Sequence, residues 1–304
     1  MNSDPSRTID QALRTILGDQ LNRIESCAER VITDSNPEDI HDLRVATRRT
    51  RTILGQVPGI FPKTTIKCFR QGFRNIGNVT GHCRDLDVWL EAIAENRDHP
   101  GADGGINLGP LEDLVREQRD AARTLVSTNL QNLWFSTLLH QWRTFLETPP
   151  ETLSKKASQP PAPVAATRIL KAHRRLLKHG HALPAEPHAS EFHRLRIDGK
   201  KLRYLLEFFG AVFDLEQSHR LIEDLKGLQD SLGGINDREI QLVAIDGLSE
   251  NQDPILTIAI ERHRRFLNDS LADFQAGFKD EFGTFSSPEV TRSLHHLLRF
   301  DPNL

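Results

Sequence analysis

The sequence has few cysteines, and their arrangement argues against two kinds of scaffold. Only three occur in 304 residues, Cys27, Cys68 and Cys83, and no two of them form a C-x-x-C pair. An odd number without regular spacing is a poor basis for a disulfide framework or a cysteine zinc site. We therefore expect a protein of the reducing cytoplasm.

Long hydrophobic runs are also missing from the chain. No stretch approaches the roughly 18 uninterrupted apolar residues that suggest a membrane-spanning helix. The N-terminal MNSDPSRTIDQALRTILG has an acidic residue near its start and lacks the apolar segment of a signal peptide. We therefore expect a soluble protein that is not exported and has no membrane partner.

Tyrosine and tryptophan are scarce, with one Tyr and three Trp against 15 Phe. Platforms that stack nucleic-acid bases need exposed aromatic rings among basic residues. Most Phe occupy apolar helical positions, such as Phe208, Phe209 and Phe213, where a core role is expected. This composition predicts that nucleic acid binds non-specifically at most.

Strand patterns are absent, and helical patterns fill most of the sequence. Apolar residues recur every three or four positions, as at Ile9, Leu13, Ile16 and Leu17, whereas alternating β-branched runs between turns are missing. The fold class predicted from this spacing is all-α. The Walker A, HExxH and GxSxG motifs are missing too, so we expect no enzyme, no metal and no cofactor.

Overall charge does not point to a general binder of polyanions. Lys and Arg together number 39, Asp and Glu 42, and the net charge is -3. The basic residues are nevertheless concentrated in two similar stretches, HDLRVATRRTR at 41–51 and HRLRIDGKKLRY at 193–204. A binding function must therefore depend on where the basic residues lie.

The two stretches belong to a longer repeat with an offset of 152 residues. The chemically matched pairs are His41 with His193, Arg44 with Arg196, Arg48 with Lys200, Arg49 with Lys201, Arg51 with Arg203, Arg74 with Lys226, Gly81 with Gly233, Asp85 with Asp237 and Asp87 with Glu239. This register predicts an internal duplication. We expect an N-terminal helical half at 1–150, a proline-rich linker at 151–163 and a C-terminal helical half at 164–304.

Both basic stretches are predicted to form amphipathic helices. One face carries the polar set His41, Arg44, Arg48 and Arg51 in the first copy, and His193, Arg196, Lys200, Arg203 and Tyr204 in the second. The opposite faces carry Leu43, Ala46, Ile53, Leu54 and Val57, and Leu195, Leu202, Leu205, Leu206 and Phe209. We expect the apolar faces to pack inside helical bundles.

Rows of like charge destabilise a helix by about 0.2–0.5 kcal/mol per pair unless something negative compensates. An internal network with Asp85, Asp87, Asp237, Glu239 and Glu207 is one explanation. These acids cannot neutralise all the basic residues, since further cations follow in neighbouring segments. An external polyanion is the more economical hypothesis.

These motifs resemble the CHAD domain, the conserved histidine α-helical domain. The resemblance rests on HDLRVATRRTR at 41, HRLRIDGKKLRYLLE at 193, and the segments GHCRDLD at 81 and GGINDRE at 233, and it covers about residues 10–300. It implies two four-helix bundles related by a pseudo-two-fold axis, with basic helix faces lining a central groove or pore. It also implies binding of inorganic polyphosphate, which sulfate or phosphate would mimic, and association with polyphosphate granules in the cytoplasm.

The candidate polyphosphate-binding residues come from this resemblance together with the repeat. They are His41, Arg44, Arg48, Arg49, Arg51, Arg74, Arg119, Arg123, His193, Arg196, Lys200, Lys201, Arg203, Tyr204, Lys226 and Arg265. Arg119, Arg123 and Arg265 come from a third matched segment, which needs a shorter offset. Relatives are often fused to a CYTH domain, but no ExExK motif occurs here, so no activity of that partner is expected.

Three alternatives remain open at this stage. A metal-dependent polyphosphate or triphosphate hydrolase would need carboxylate ligands, and RDLD at 84–87 is the acidic motif that comes nearest to this requirement. A role as a helix cap, or in orienting an arginine, explains those acids without a metal ion. A general phosphate-polymer module that also binds RNA, or a scaffold for a phosphorylated or acidic protein, fits the same basic faces.

Overall fold

The structure, a computed structural model, describes residues 7–34, 36–98, 107–248 and 253–298. These residues form eleven α-helices and a short 3₁₀ turn at Gly210–Val212, with no strand among them. The helices are α1 (Ile9–Thr33), α2 (Pro37–Gln56), α3 (Lys63–Val79), α4 (Gly81–Asp98), α5 (Gly109–Leu130), α6 (Leu133–Glu147), α7 (Pro161–His181), α8 (Ala189–Phe209), α9 (Leu215–Asp246), α10 (Pro254–Phe285) and α11 (Pro288–Leu297). The predicted all-α class is confirmed. No helix within the described ranges is long and apolar enough to cross a membrane.

Local sequence signals set where several helices begin. The Thr8 side chain and the Gln11 side chain form a reciprocal capping box at the start of α1. Asn36 caps α2 by accepting from the Glu38 amide, and Pro37 takes the first helical position, where its missing N–H costs nothing. The basic segment at 41–51 therefore lies inside a helix with a well-defined start.

The apolar faces of α2 and α8 pack into the core, as their spacing predicts. All ten residues predicted for those faces are buried, among them Leu43, Ile53 and Phe209, which are almost completely inaccessible. Their burial contributes roughly 1.5–3 kcal/mol for each large side chain. Because these faces are fixed inward, the basic residues between them are held on the other sides of the two helices.

The two predicted halves share one contiguous core and pack against each other through α2 with α8, α4 with α9, and α5 with α10. Polar contacts cross between them as well. The Arg238 guanidinium on α9 pairs with the Glu95 carboxylate on α4. The Gln241 side-chain amide donates to the Val88 carbonyl at 3.0 Å, and Asn96 lies 3.1 Å from the His263 ring. This packing holds α2 and α8 beside each other.

Helix positions follow the spacing on which the predicted duplication rests. The first residues of α1 and α7, of α2 and α8, and of α3 and α9 are each 152 positions apart. The α3–α4 pair, separated only by Thr80, occupies the positions that correspond to the single helix α9. The duplication and its two-fold axis remain predictions. They require helices that begin at this spacing.

The proline-rich linker spans 148–160, three residues earlier in the chain than predicted, and is held against α1. Helix α7 begins at Pro161, so residues 161–163 belong to a helix and not to the linker. The Ile9 amide donates to the Gln159 carbonyl at 2.8 Å, and the Asp10 amide donates to the Ala157 carbonyl at 3.2 Å. Proline suits the first turn of a helix because the amides there have no partner within the helix.

Candidate anion-binding site

A cavity of about 960 Å³ lies between α1, α2, α8 and α9, where the two halves meet. We call it the central cavity. The side chains along it that carry positive charge, or gain it on protonation, are Arg23, Arg30, His41, Arg48, Arg49, Arg196, Lys200 and Arg203. The acidic residues along it are Asp42, Asp230 and Asp237. Positive charge therefore predominates in the lining.

Tyr204 connects the basic faces of the two central helices. Its side chain is buried, and its hydroxyl accepts a hydrogen bond from Arg48 Nε at 2.7 Å. The Arg49 guanidinium lies 5.6 Å from the centre of the ring, within the distance of a cation–π contact. Tyr204 thus positions two guanidinium groups of α2 from its place on α8, and it does not serve as an exposed stacking platform.

Lys200 is a poorly compensated cation in the central cavity. Its ammonium makes no ion pair and no side-chain hydrogen bond with any residue that the structure describes. The pKa of Lys200 is lowered from 10.5 to about 6, mainly by burial and in addition by the neighbouring charges of Arg48 and Arg196. Asp237 opposes this shift without cancelling it. An anion placed here would restore the charged form.

Arg196 and His41 show the same effect of burial. The guanidinium of Arg196 lies 3.6 Å from the Asp237 carboxylate, which is a long separation for an ion pair, and its buried Nε lacks a hydrogen-bond partner among the described residues. Burial lowers the pKa of Arg196. For His41, burial lowers the pKa, and the charge of Arg84 acts in the same direction. Both side chains therefore favour a negative neighbour.

Two other cations of the cavity share one internal carboxylate. Arg49 Nη2 lies 2.5 Å from Glu207 Oε2, and Arg203 Nε lies 2.6 Å from Glu207 Oε1. Arg203 also donates to the Gln229 side chain at 3.2 Å. The internal salt-bridge explanation therefore applies to this pair, although one carboxylate compensates only one of the two positive charges.

Arg44 lies on the predicted basic face but is directed elsewhere. Its Nη1 donates to the Gly77 carbonyl at 2.8 Å and to Thr80 Oγ1 at 3.2 Å, and it does not line the central cavity. The guanidinium therefore satisfies acceptors at the C-terminal end of α3. Burial lowers the pKa of Arg44, with partial compensation from Asp85.

Arg51 and Arg74 lie together, but in a different place. Both line a separate pocket between α2 and α3, with a volume of about 590 Å³. The repeat and the family resemblance predicted one surface for Arg48, Arg51 and Arg74, and Arg48 is only three positions from Arg51. On a helix this step turns the side chain by about 60°, which directs Arg51 towards α3.

Several predicted residues of the second half lie outside both pockets. Lys201 Nζ lies 3.1 Å from the buried Asp198 carboxylate, on the side of α8 that faces α7. His193 is exposed, with Nδ1 3.0 Å from Asn236 Oδ1. Lys226 is exposed and lies 4.0 Å from Glu223. None of the three lines the central cavity.

The residues of the third matched segment are not part of the central cavity either. Arg119 pairs with Asp87 at 2.9 Å and with Asp120 at 3.0 Å. Arg123 donates to the carbonyl groups of Val31 and Asp34, at the C-terminal end of α1. Arg265 lies on the exposed surface of α10. In this segment the cations have structural partners, as the internal-network explanation expects.

The acids of the RDLD motif lie beside arginines. Asp87 pairs with Arg119, and burial raises the pKa of Asp87 while that guanidinium opposes the rise. Burial also raises the pKa of Asp85, which Arg44 opposes. These contacts fit the arginine-orienting role. The described residues contain no group of three or more His, Cys, Asp or Glu side chains arranged to hold a metal ion.

Helix α1 contributes cavity residues that were not predicted from the sequence. Arg23 and Arg30 line the cavity, and Arg30 Nε lies 2.6 Å from Asp39 Oδ1. They are seven positions apart, so they share one face of α1. This spacing is visible in the sequence, but the prediction rested on the two basic stretches at 41–51 and 193–204 and on the residues matched after them.

Comparisons with known proteins agree with the fold and the motifs. A family model described as the CHAD domain matches residues 15–246. A crystal structure of the CHAD domain from the plant Ricinus communis aligns with a TM-score of 0.76 at 24% identity, covering 93% of this chain and 94% of that one. PptA from Streptomyces chartreusis aligns with a TM-score of 0.71 at 15% identity, covering 91% of this chain and 100% of that one. Among curated proteins, no significant sequence match was found. The family model covers most of the sequence, and the chain belongs to the CHAD domain family.

Proposed function

We propose that this protein binds inorganic polyphosphate in the central cavity and does not cleave it. Membership of the CHAD family supports the ligand class, because the family is known for association with polyphosphate. The excess of basic over acidic side chains along the cavity supports the place. The absence of cleavage is part of the proposal and needs its own measurement.

The observation that carries the proposal is the environment of Lys200. A half-buried amine beside Arg48 and Arg196 is unfavourable in its charged form, which is why its pKa falls to about 6. Holding these cations together without a matching anion destabilises the folded protein. A polyanion in the cavity offsets that loss, and the part of the affinity gained in this way depends on the cavity residues.

Polyphosphate suits the chemistry of the lining. Each phosphate unit carries about one negative charge, and a guanidinium donates two parallel hydrogen bonds to phosphate oxygens. Cations from α1, α2 and α8 are available to successive units of one chain. Release of counterions makes such binding strongly dependent on salt, by analogy with a slope of about -0.7 per neutralised phosphate for single-stranded nucleic acid.

A charge-matched pair of variants tests the assignment to the central cavity. Arg48→Gln with Lys200→Gln removes two cavity cations, on α2 and α8, whereas Lys201→Gln with Lys226→Gln removes two cations outside the cavity, on α8 and α9. We expect at least a tenfold loss of affinity for long-chain polyphosphate in the cavity variant, and less than a threefold loss in the control. Isothermal titration calorimetry gives the affinities, and circular dichroism checks that helix content is preserved.

If the cavity variant kept wild-type affinity, the proposed site would be wrong. If both double variants lost the same affinity, binding would depend on overall charge and not on this cavity. In cells that make polyphosphate granules, we propose that the cytoplasmic protein lies on them. A fluorescent fusion that leaves the granules when Arg48 and Lys200 are replaced would support this extension.

A further inference from the structure

The pocket between α2 and α3 contains a concentration of unpaired positive charge apart from the central cavity. We call it the α3 pocket. Its cations are Arg51, Lys63, Lys67, Arg70 and Arg74, and no carboxylate lies along it. Leu54, Val57 and Phe61 form an apolar part of the lining. Its volume of about 590 Å³ is within the range of roughly 300–1,000 Å³ that is usual for small-ligand sites.

These five cations make no ion pair and no side-chain hydrogen bond within the described parts of the chain. Their effect on one another is visible at Arg51, which lies between the two helices. Burial lowers the pKa of Arg51, and the charges of Arg74 and Arg70 add to the effect with no acid opposing them. An anion beside Arg51 would offset the cost of burying its charge.

The corresponding part of the second half contains the acids that the α3 pocket lacks. Arg203 pairs with Glu207 at 2.6 Å, and Lys226 lies 4.0 Å from Glu223. Positions 152 residues earlier hold Arg51 and Arg74, but Gly55 and Gln71 stand where the two glutamates would be. The guanidinium of Arg70 lies against Gly55. The first half therefore retains these two cations and lacks both partners.

The N-terminus of α3 adds a second, independent feature. No side chain caps this end, which follows Pro62, and no acidic residue lies in the first turn. At the start of α9, Asp214 caps the helix and Glu216 lies in the first turn. The positive end of the helix dipole and uncapped amides favour an anion, and here they adjoin Lys63 and Lys67.

We propose that the α3 pocket is a second anion-binding site, which binds a short phosphate chain separately from the central cavity. The ligand class rests on the proposed function, whereas the existence of an anion site here rests on the unpaired cations and the helix end. Five cations around one pocket match the charge of a few linked phosphates. Polyphosphate would then contact the protein at two places.

Tripolyphosphate is a suitable probe because it is too short to report on long-chain avidity. We would measure its stoichiometry by isothermal titration calorimetry at about 0.15 M salt, which screens isolated surface charges. The α3 variant is Lys63→Gln, Lys67→Gln and Arg70→Gln, which changes only exposed side chains. A control variant replaces three exposed lysines outside both pockets: Lys155, Lys171 and Lys178.

Two bound tripolyphosphates are expected for the wild type and the control, and one for the α3 variant. The double variant Arg48→Gln with Lys200→Gln should also bind one, at the α3 pocket. An α3 variant with the stoichiometry and affinity of the wild type would overturn the second site and leave the proposed function standing. A central variant that bound like the wild type, beside an α3 variant with one site fewer, would overturn the proposed function alone.

Discussion

Replacing Lys200 by Met should remove most of the pH dependence of polyphosphate binding. In the free protein the Lys200 pKa is about 6, against an ordinary value of 10.5. A bound polyanion supplies the missing negative charge, so the pKa of the amine rises on binding and one proton is taken up. Lys201 is the matched control, because its amine pairs with Asp198 outside the cavity.

The magnitude follows from the two pKa values. Below pH 6 the amine is protonated in both states, and its contribution to affinity is complete. Above pH 6 the free protein must gain a proton to bind, which costs about 1.4 kcal/mol for each pH unit up to the pKa of the complex. If the complex restored the ordinary pKa, affinity would fall as much as about 100-fold between pH 7 and pH 9.

The assay is calorimetric titration of long-chain polyphosphate at constant ionic strength from pH 7 to pH 9. Two other titrating groups of the lining stay out of this window: the pKa of His41 is lowered from 6.5, and burial raises the pKa of the Cys27 thiol from 9.0. A long chain keeps terminal phosphates, which have a pKa near 6, a small fraction of the ligand. Lys201→Met should follow the wild type, whereas Lys200→Met should be nearly flat. Identical pH profiles for Lys200→Met and the wild type would refute the reasoning.

The free protein provides a further check on the same residue. A lysine with a lowered pKa in the folded state gives the unfolded state the greater proton affinity, so stability rises with pH between about 6 and 10.5. At pH 7 the buried amine therefore destabilises the free protein. Lys200→Met should stabilise it by on the order of 1–3 kcal/mol while weakening polyphosphate binding.

Two further substitutions distinguish a residue that supports the fold from one that positions another side chain. Arg44→Gln should lower stability by about 1–3 kcal/mol, measured by urea unfolding, because the Gly77 carbonyl and the Thr80 hydroxyl lose their donor; unchanged stability would contradict this structural role. Tyr204→Phe should weaken polyphosphate binding several-fold, because Arg48 loses the hydrogen bond that holds its Nε, while the melting temperature changes little. An unchanged dissociation constant would show that Tyr204 does not position Arg48.

Local sequence patterns predict the helices and their inner faces well. Leu43 and Ile53 on α2, and Leu202 and Phe209 on α8, are buried as their spacing requires. This success has a simple cause, since a helical period and an apolar face are properties of neighbouring residues. The bounds of the linker were less accurate because Pro161 suits both a linker and the first turn of a helix.

The candidate site could be predicted only in part, because the partner of a cation lies far away in sequence. Arg48, Arg196 and Lys200 line the central cavity, as the repeated basic faces suggest. Arg44 belongs to the same face, but the end of α3 provides its acceptors. Lys201 belongs to the same repeat, but its partner is Asp198. Helical spacing gives the direction of a side chain, whereas its partner depends on tertiary packing.

The central claim is that this CHAD protein binds polyphosphate without cleaving it. The most direct measurement is a titration of long-chain polyphosphate, and of single-stranded RNA at equal phosphate, across a salt series with EDTA and then with Mg²⁺, following both binding and phosphate release. We predict EDTA-resistant binding that favours polyphosphate, a steep salt dependence and no release. Metal-dependent release of phosphate would contradict the claim and indicate a hydrolase, and equal affinity for RNA would reduce the site to a general groove for phosphate polymers.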